Sequence, residues 1–142
     1  MVRKVMAGQE LLKASGTVTA KLTRWLKDHG HIDDDQAADA LERARAAARD
    51  LPAADRLGRL LHDVAARAPQ IDPDSIPDAD WVEDQLAISD VQPGLICFEG
   101  AIGPIKVPRA ASDLARPGWL VSITAARTAE RWQLLEVGFV YP

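Results

Sequence analysis

RWQLLEVGFVYP, residues 131–142, is among the most apolar stretches of this 142-residue chain, and it decides the fold. A second stretch just before it, GWLVSITAART at residues 118–128, has the same character. Both are rich in β-branched and aromatic residues, which favour the half-buried surface of a pleated strand. We predict that they form the two antiparallel strands of one hairpin, with residues 129–131 as the loop.

The alternation of side chains defines the predicted register, because a slip by one residue moves every side chain to the other face of the sheet. Pairing Val121 with Phe139 and Trp119 with Tyr141 makes one face of the hairpin apolar along its whole length. We therefore expect Phe139 and Tyr141 to be buried in the core, in contact with Val121 and Trp119.

The opposite face of the predicted hairpin carries a candidate pocket. Glu136 faces Thr124 there, with Ser122 beside it and Trp132 nearer to the loop. A carboxyl group in apolar surroundings has its pKa raised towards the range that is useful for acid–base chemistry. These four residues are thus expected either to line a small pocket or to belong to an ordinary solvated outer face.

The composition of the chain changes near residue 80. Six of the seven aromatic residues lie beyond it, whereas the first 70 residues hold fifteen alanines, which favour helix. We predict an α+β protein with a helical region of about three helices at 1–68, a Pro- and Asp-rich linker at 69–80, and a β region at 81–142. The β region is expected to be an antiparallel sheet or small barrel that ends in the long hairpin. The order of the elements is also similar to the NTF2 type, a cone of helices and sheet around a pocket.

Three residues mark predicted helix boundaries in the first half. Asp33 is a natural N-cap, because its short side chain can accept a hydrogen bond from the first turn. Gly30 is expected to end the preceding helix, since glycine adopts the left-handed conformation of a helix C-terminus. Pro52 is expected to divide the following helix in two, because proline removes a backbone donor.

The segment ELLKASGTVTAKLTRWLKDHG, residues 10–30, resembles the helix-turn-helix of small bacterial repressors, with Gly16 in the turn. The resemblance implies four residues that face DNA: Thr17, Thr19, Lys21 and Arg24. Local charge agrees, because residues 1–30 hold six Lys or Arg against two acidic residues, a net charge of +4. The alternative is an ordinary amphipathic helix pair with a basic outer face.

Bulk properties restrict the remaining possibilities. The formal net charge is −4, and the single cysteine, Cys97, excludes an internal disulfide. The histidines and aspartates of HGHIDDD, residues 29–35, serve helix ends, and we predict no catalytic signature, metal site or cofactor. The chain shows no apolar signal-peptide core and no run of membrane-spanning length, so we expect a cytoplasmic protein that binds no membrane.

These observations favour a non-enzymatic binding or accessory protein that acts through protein contacts. The narrow Ala/Leu stripes of the helical half offer apolar seams to a protein partner or to a second copy, so we expect a homo-oligomer. Two alternatives remain open. One is a DNA-binding transcriptional regulator that uses residues 10–30, and the other is a small-ligand-binding or enzymatic pocket protein of NTF2-like type around Glu136.

Overall fold

The computed structural model describes residues 9–142, apart from the side chains of residues 9, 12 and 13. The elements follow in the order α1 Gln9–Asp28, α2 Asp34–Ala66, β1 Trp81–Gln92, β2 Leu95–Phe98, β3 Ile102–Lys106, α3 Arg109–Leu114, β4 Leu120–Thr128 and β5 Arg131–Tyr141. Two single-turn 3-10 helices, Pro73–Ser75 and Asp78–Asp80, lie between α2 and β1. The predicted α+β class is confirmed, with helices first and an antiparallel sheet that ends in a long hairpin.

The chain forms two compact units that divide between Pro52 and Ala53, within α2. The first unit is helical, and the second combines the rest of α2 with the whole β region. The prediction that Pro52 ends a helix is wrong, because α2 continues through it. Pro52 is buried, and Ala44 and Leu57 are buried on either side of it. Tertiary burial therefore outweighs the loss of one helix hydrogen bond.

The predicted helix boundary at residues 30–33 is confirmed. Gly30 has a left-handed φ of 71°, and the His31 N–H donates to the Leu26 carbonyl at 2.9 Å, which closes the C-terminal turn of α1. The Asp33 side chain accepts a hydrogen bond from the Gln36 N–H at 2.8 Å, and the Gln36 side chain accepts one from the Asp33 N–H at 3.1 Å. This reciprocal capping box begins α2.

The five strands form one antiparallel sheet in the order β3-β2-β1-β4-β5. β1 pairs with β4 from Trp81 to Ala87 and with β2 from Ile88 to Gln92, and the β1–β2 pairing contains a β-bulge between Ile88 and Asp90. The edge strands β3 and β5 approach each other to within 8 Å between Cα atoms. This connectivity, with α3 between β3 and β4, is that of a five-stranded OB-type barrel.

The core fills the concave face of the sheet and lies against the second half of α2. Its largest fully buried side chains are Leu57, Leu61, Ile88, Ile96, Ile105, Val121 and Leu134. Every residue of this cluster belongs to the second unit, from Ala54 onwards. The second unit thus has a hydrophobic core of its own.

The predicted hairpin register is correct only in the middle of the hairpin, where Ile123 pairs with Val137 and Thr124 with Glu136. Towards the turn, the loop has two residues instead of three, because Arg131 already pairs with Thr128. The loop residues, Ala129 and Glu130, have φ values of 48° and 63°. Both are left-handed, as a tight I′ hairpin turn requires.

Two β-bulges in β5 shift the pairing away from strict alternation. As a result Leu134 is buried and Val140 packs against the core, while Phe139 and Tyr141 are 51% and 45% exposed. The prediction that Phe139 and Tyr141 lie in the core is therefore wrong. Bulges add twist and bend to a strand, and a strand that follows the curvature of a barrel cannot keep a period of two throughout.

Candidate functional site

α1 packs on the first part of α2 through small side chains. Gly16 is buried, and a Cβ atom built there would lie 2.4 Å from the Cβ of Ala48 and 2.8 Å from the carbonyl oxygen of Ala44. Thr23, seven residues further on, is buried as well, and its hydroxyl donates to the carbonyl of Thr19 at 2.9 Å. The helices approach so closely that only glycine fits at position 16.

A second face of α1 carries large apolar side chains, and all of them are at least half exposed. This α1 stripe consists of Leu11 (58%), Val18 (62%), Leu22 (54%) and Trp25 (50%). The intervals of seven, four and three residues place the four side chains on one side of the helix. An amphipathic helix normally turns such side chains towards a core, so the α1 stripe is the first candidate site.

Two histidine rings pack against the C-terminal end of the α1 stripe. The ring of Trp25 stacks on His29 at 4.2 Å and on His31 at 5.7 Å between centroids. The Nδ1 atom of His29 lies 2.8 Å from the carbonyl oxygen of Trp25. Across the residues that the structure describes, no group of three or more His, Cys, Asp or Glu side chains is arranged to hold a metal ion.

The helix-turn-helix geometry predicted at residues 10–30 is wrong, because α1 is one continuous helix from Gln9 to Asp28. Gly16, the expected turn residue, lies inside the helix at its contact with α2. A glycine that permits close helix packing and a glycine that permits a turn cannot be told apart in a single sequence.

The four predicted DNA-contact residues are all exposed, and three of them share one face of α1. Thr17, Lys21 and Arg24 are spaced four and three residues apart, so they lie along a single polar strip. Thr19 lies on another side of the helix and donates its hydroxyl to the carbonyl of Ser15 at 2.9 Å. DNA contact by these residues stays a prediction, now without the turn that suggested it.

The second candidate site is a cavity of about 900 Å³ on the outer face of the barrel. Its floor is a row across three neighbouring strands, because Thr124 pairs with Glu83 on one side and with Glu136 on the other. Trp81 and Leu135 contribute apolar surface beside this row. The wall consists of residues from the end of α2 and the segment after it: Ala65, Ala66, Ala68, Pro69, Gln70, Ile71, Asp72 and Pro73.

The structure brings together three of the four predicted pocket residues. Thr124 and Glu136 line the cavity, and Ser122 lines a smaller adjoining one of about 320 Å³ together with them. Trp132 lines neither cavity: it pairs with Arg127 because of the two-residue turn, and it packs against the core. Glu136 is exposed, so it is not enclosed by the apolar surroundings that the prediction of acid–base chemistry assumed.

The lining of this cavity is acidic. Among the described residues that line it, Asp72, Glu83 and Glu136 are acidic and none is basic. A concave surface with charge of one sign attracts ligands of the opposite sign. Sequence reasoning missed Glu83, since its place beside Thr124 depends on the pairing of β1 with β4, which no local pattern encodes.

The barrel itself carries short loops. The β1–β2 and β4–β5 connections, through which OB-type barrels hold oligonucleotides and oligosaccharides, are two-residue turns at Pro93–Gly94 and Ala129–Glu130. Such turns cannot enclose a polymeric ligand.

No protein-family model, curated protein or solved structure matches this chain. Among residues 9–142, the helices lack the combination of length and apolar character that a bilayer crossing requires. The OB-type connectivity does not specify an activity either, because one fold serves many functions. The α1 stripe and the acidic cavity are therefore the two features of the molecule that bear on its function.

Proposed function

We propose that this protein is a non-enzymatic accessory protein that binds a helix of a protein partner through the α1 stripe. The observation that supports it is the exposure of Leu11, Val18, Leu22 and Trp25, while Gly16 and Thr23 of the same helix are buried. Exposed apolar surface in a contiguous patch is typical of a protein-binding site. Its helical spacing suits an amphipathic helix as the ligand.

The α1 stripe is large enough to support association. Complete burial of a Val, Leu or similar side chain stabilises by about 1.5–3 kcal/mol. Burial of the exposed halves of the four side chains would therefore contribute on the order of 3–6 kcal/mol to binding. A partner helix with a matching apolar face contributes a similar amount. The sum exceeds the lower estimates of the cost of association, about 4 kcal/mol.

A labelled synthetic helix tests this proposal. The probe is a fluorescein-labelled peptide with leucine at every a and d position of its heptads, and fluorescence anisotropy measures its binding to the full chain. We expect Val18→Glu and Leu22→Glu to weaken binding at least tenfold, because each places a charge within the apolar contact. Arg24→Glu, on the polar strip of the same helix, is the control and should retain affinity within about twofold.

The substitutions lie at exposed positions, so helix content and thermal melts should stay close to those of the parent chain. Equal peptide affinity of the parent chain and both stripe variants would contradict the proposal. So would failure of the parent chain to bind the peptide at concentrations where the chain is monomeric.

The acidic cavity favours a second candidate function, the binding of a small organic cation by the second unit. Glu83 and Glu136 stand on either side of Thr124, so an amine could donate hydrogen bonds to both carboxylates. We expect spermidine, used as a probe, to bind in isothermal titration calorimetry and to lose at least fivefold in affinity with Glu136→Gln. Glu130→Gln, in the exposed hairpin turn, is the matched control. Identical isotherms for the two variants would contradict this function.

A further inference from the structure

The exposed seam of α1 has the spacing of a coiled coil. It extends the α1 stripe by two exposed polar residues, Ser15 within the helix and His29 in the turn that directly follows it. The whole seam, with intervals of four and three residues, is Leu11, Ser15, Val18, Leu22, Trp25 and His29. These are the alternating a and d positions of a heptad, which present one continuous line to a second helix.

Two opposite charges flank this seam on the same side. Lys21 directly precedes Leu22, and Asp28 directly precedes His29, so both occupy g positions if Leu22 and His29 are at a. Both side chains are exposed. Within the part of the chain that the structure describes, the ion pairs do not include either residue.

The direction of a second α1 decides what these charges meet. In a parallel pair, g positions face e positions, so Lys21 would lie opposite Leu26 and gain no ionic partner. In an antiparallel pair, g positions face each other. Packing Leu22 against Trp25 of the other copy then places Lys21 opposite Asp28, and the two-fold axis repeats this contact. A different antiparallel register, with Lys21 opposite its own symmetry mate, brings like charges together and is disfavoured.

From this charge complementarity we infer that the occupant of the α1 stripe is the α1 helix of a second copy of this chain, running antiparallel, with two symmetric Lys21–Asp28 ion pairs. The inference rests on the proposed function and adds the identity and the direction of the partner helix. Leu22 and Trp25 form the apolar centre of the contact, and Val18 packs beside His29 of the other copy.

Charge reversal in the full-length chain tests the pairing. Sedimentation equilibrium measures the dimer dissociation constant of the parent chain, of Lys21→Asp, of Asp28→Lys and of the double variant. Each single reversal replaces two attractive contacts by two repulsive ones, so we expect at least a fivefold weaker dimer. The double variant restores the attraction with the signs exchanged and should return to within about twofold of the parent chain. Arg24→Asp makes the same charge change as Lys21→Asp away from the seam, and it should leave the dimer unchanged.

The outcomes separate this inference from the proposed function. A parent chain that is monomeric but binds the leucine heptad peptide overturns self-pairing and leaves the proposed function standing. A dimer that does not respond to the single reversals, or is not restored by the double variant, overturns the antiparallel Lys21–Asp28 pairing. A parent chain that neither dimerises nor binds the peptide overturns both the self-pairing and the proposed function.

Discussion

The two units of the chain bury different kinds of side chain. In the second unit, large residues such as Leu57, Ile96 and Leu134 are almost completely buried within the barrel core. In the first unit, the residues buried between α1 and α2 are small, as Gly16 and Ala44 illustrate, while the α1 stripe remains exposed. A close helix contact built on small residues removes little apolar surface from water. The first unit therefore leaves most of the large apolar side chains of α1 exposed, whereas the second unit encloses most of its own, with Leu120, Phe139 and Tyr141 as exceptions.

The strongest test of this difference is a matched pair of Leu→Ala substitutions. Leu61 is fully buried in the second unit, so Leu61→Ala should lower the free energy of unfolding by about 2–5 kcal/mol. Leu22 is on the exposed α1 stripe, and Leu22→Ala should lower it by less than about 1 kcal/mol at concentrations where the chain is monomeric. Urea denaturation followed by circular dichroism measures both values. Comparable losses of unfolding free energy in the two variants would show that Leu22 belongs to a core.

A pair of Gly→Ala substitutions tests the close helix contact of the first unit. At Gly16 the new methyl group would meet Ala48 at 2.4 Å, so the helices must move apart, which costs roughly 1–3 kcal/mol. At Gly58, also within a helix, the nearest atom is a methyl carbon of Val140 at 3.5 Å. Gly58→Ala should therefore be neutral, or stabilising by up to about 1 kcal/mol through helix propensity. Thermal melts of the two variants that shift in the same direction would refute the small-residue contact.

A capping substitution shows whether the two units unfold separately. Asp33→Ala removes the side-chain acceptor for the Gln36 N–H and should destabilise the start of α2 by about 1 kcal/mol. Hydrogen exchange read residue by residue should then accelerate in α1 and in the first part of α2, with little change in the barrel strands. Asp33→Asn keeps an acceptor and serves as the control. Uniform acceleration throughout the chain would mean that the units unfold as one.

The smallest predicted effect lies in the β4–β5 turn. Glu130 has a left-handed φ of 63°, a conformation that glycine adopts without strain. Glu130→Gly should raise the stability of the second unit by about 0.5–1 kcal/mol and leave hydrogen exchange in α1 unchanged. Glu130→Val, with a β-branched side chain at the same φ, should lower it. The opposite order of melting temperatures for these two variants would contradict the I′ turn.

Much of the local structure could be predicted from the sequence, because its signals act within a few residues. Gly30 and Asp33 mark real helix ends, since a left-handed glycine and an N-cap acceptor depend only on their own turn. The change of composition near residue 80 was enough to predict the order of helices and sheet.

The features that sequence reasoning missed depend on contacts between distant parts of the chain. Gly16 lies inside a helix, where its lack of a side chain lets α2 pack closely against α1. α2 continues through Pro52 because burial outweighs one lost hydrogen bond. The bulges that place Leu134 in the core and Phe139 outside it arise in a strand that must follow the curvature of a barrel. Glu83 joins the cavity only through the pairing of β1 with β4. Local pattern determined where helix and strand form, and packing between elements decided how far each element continues and which side chains it buries, because burial depends on neighbours that lie far apart in the sequence.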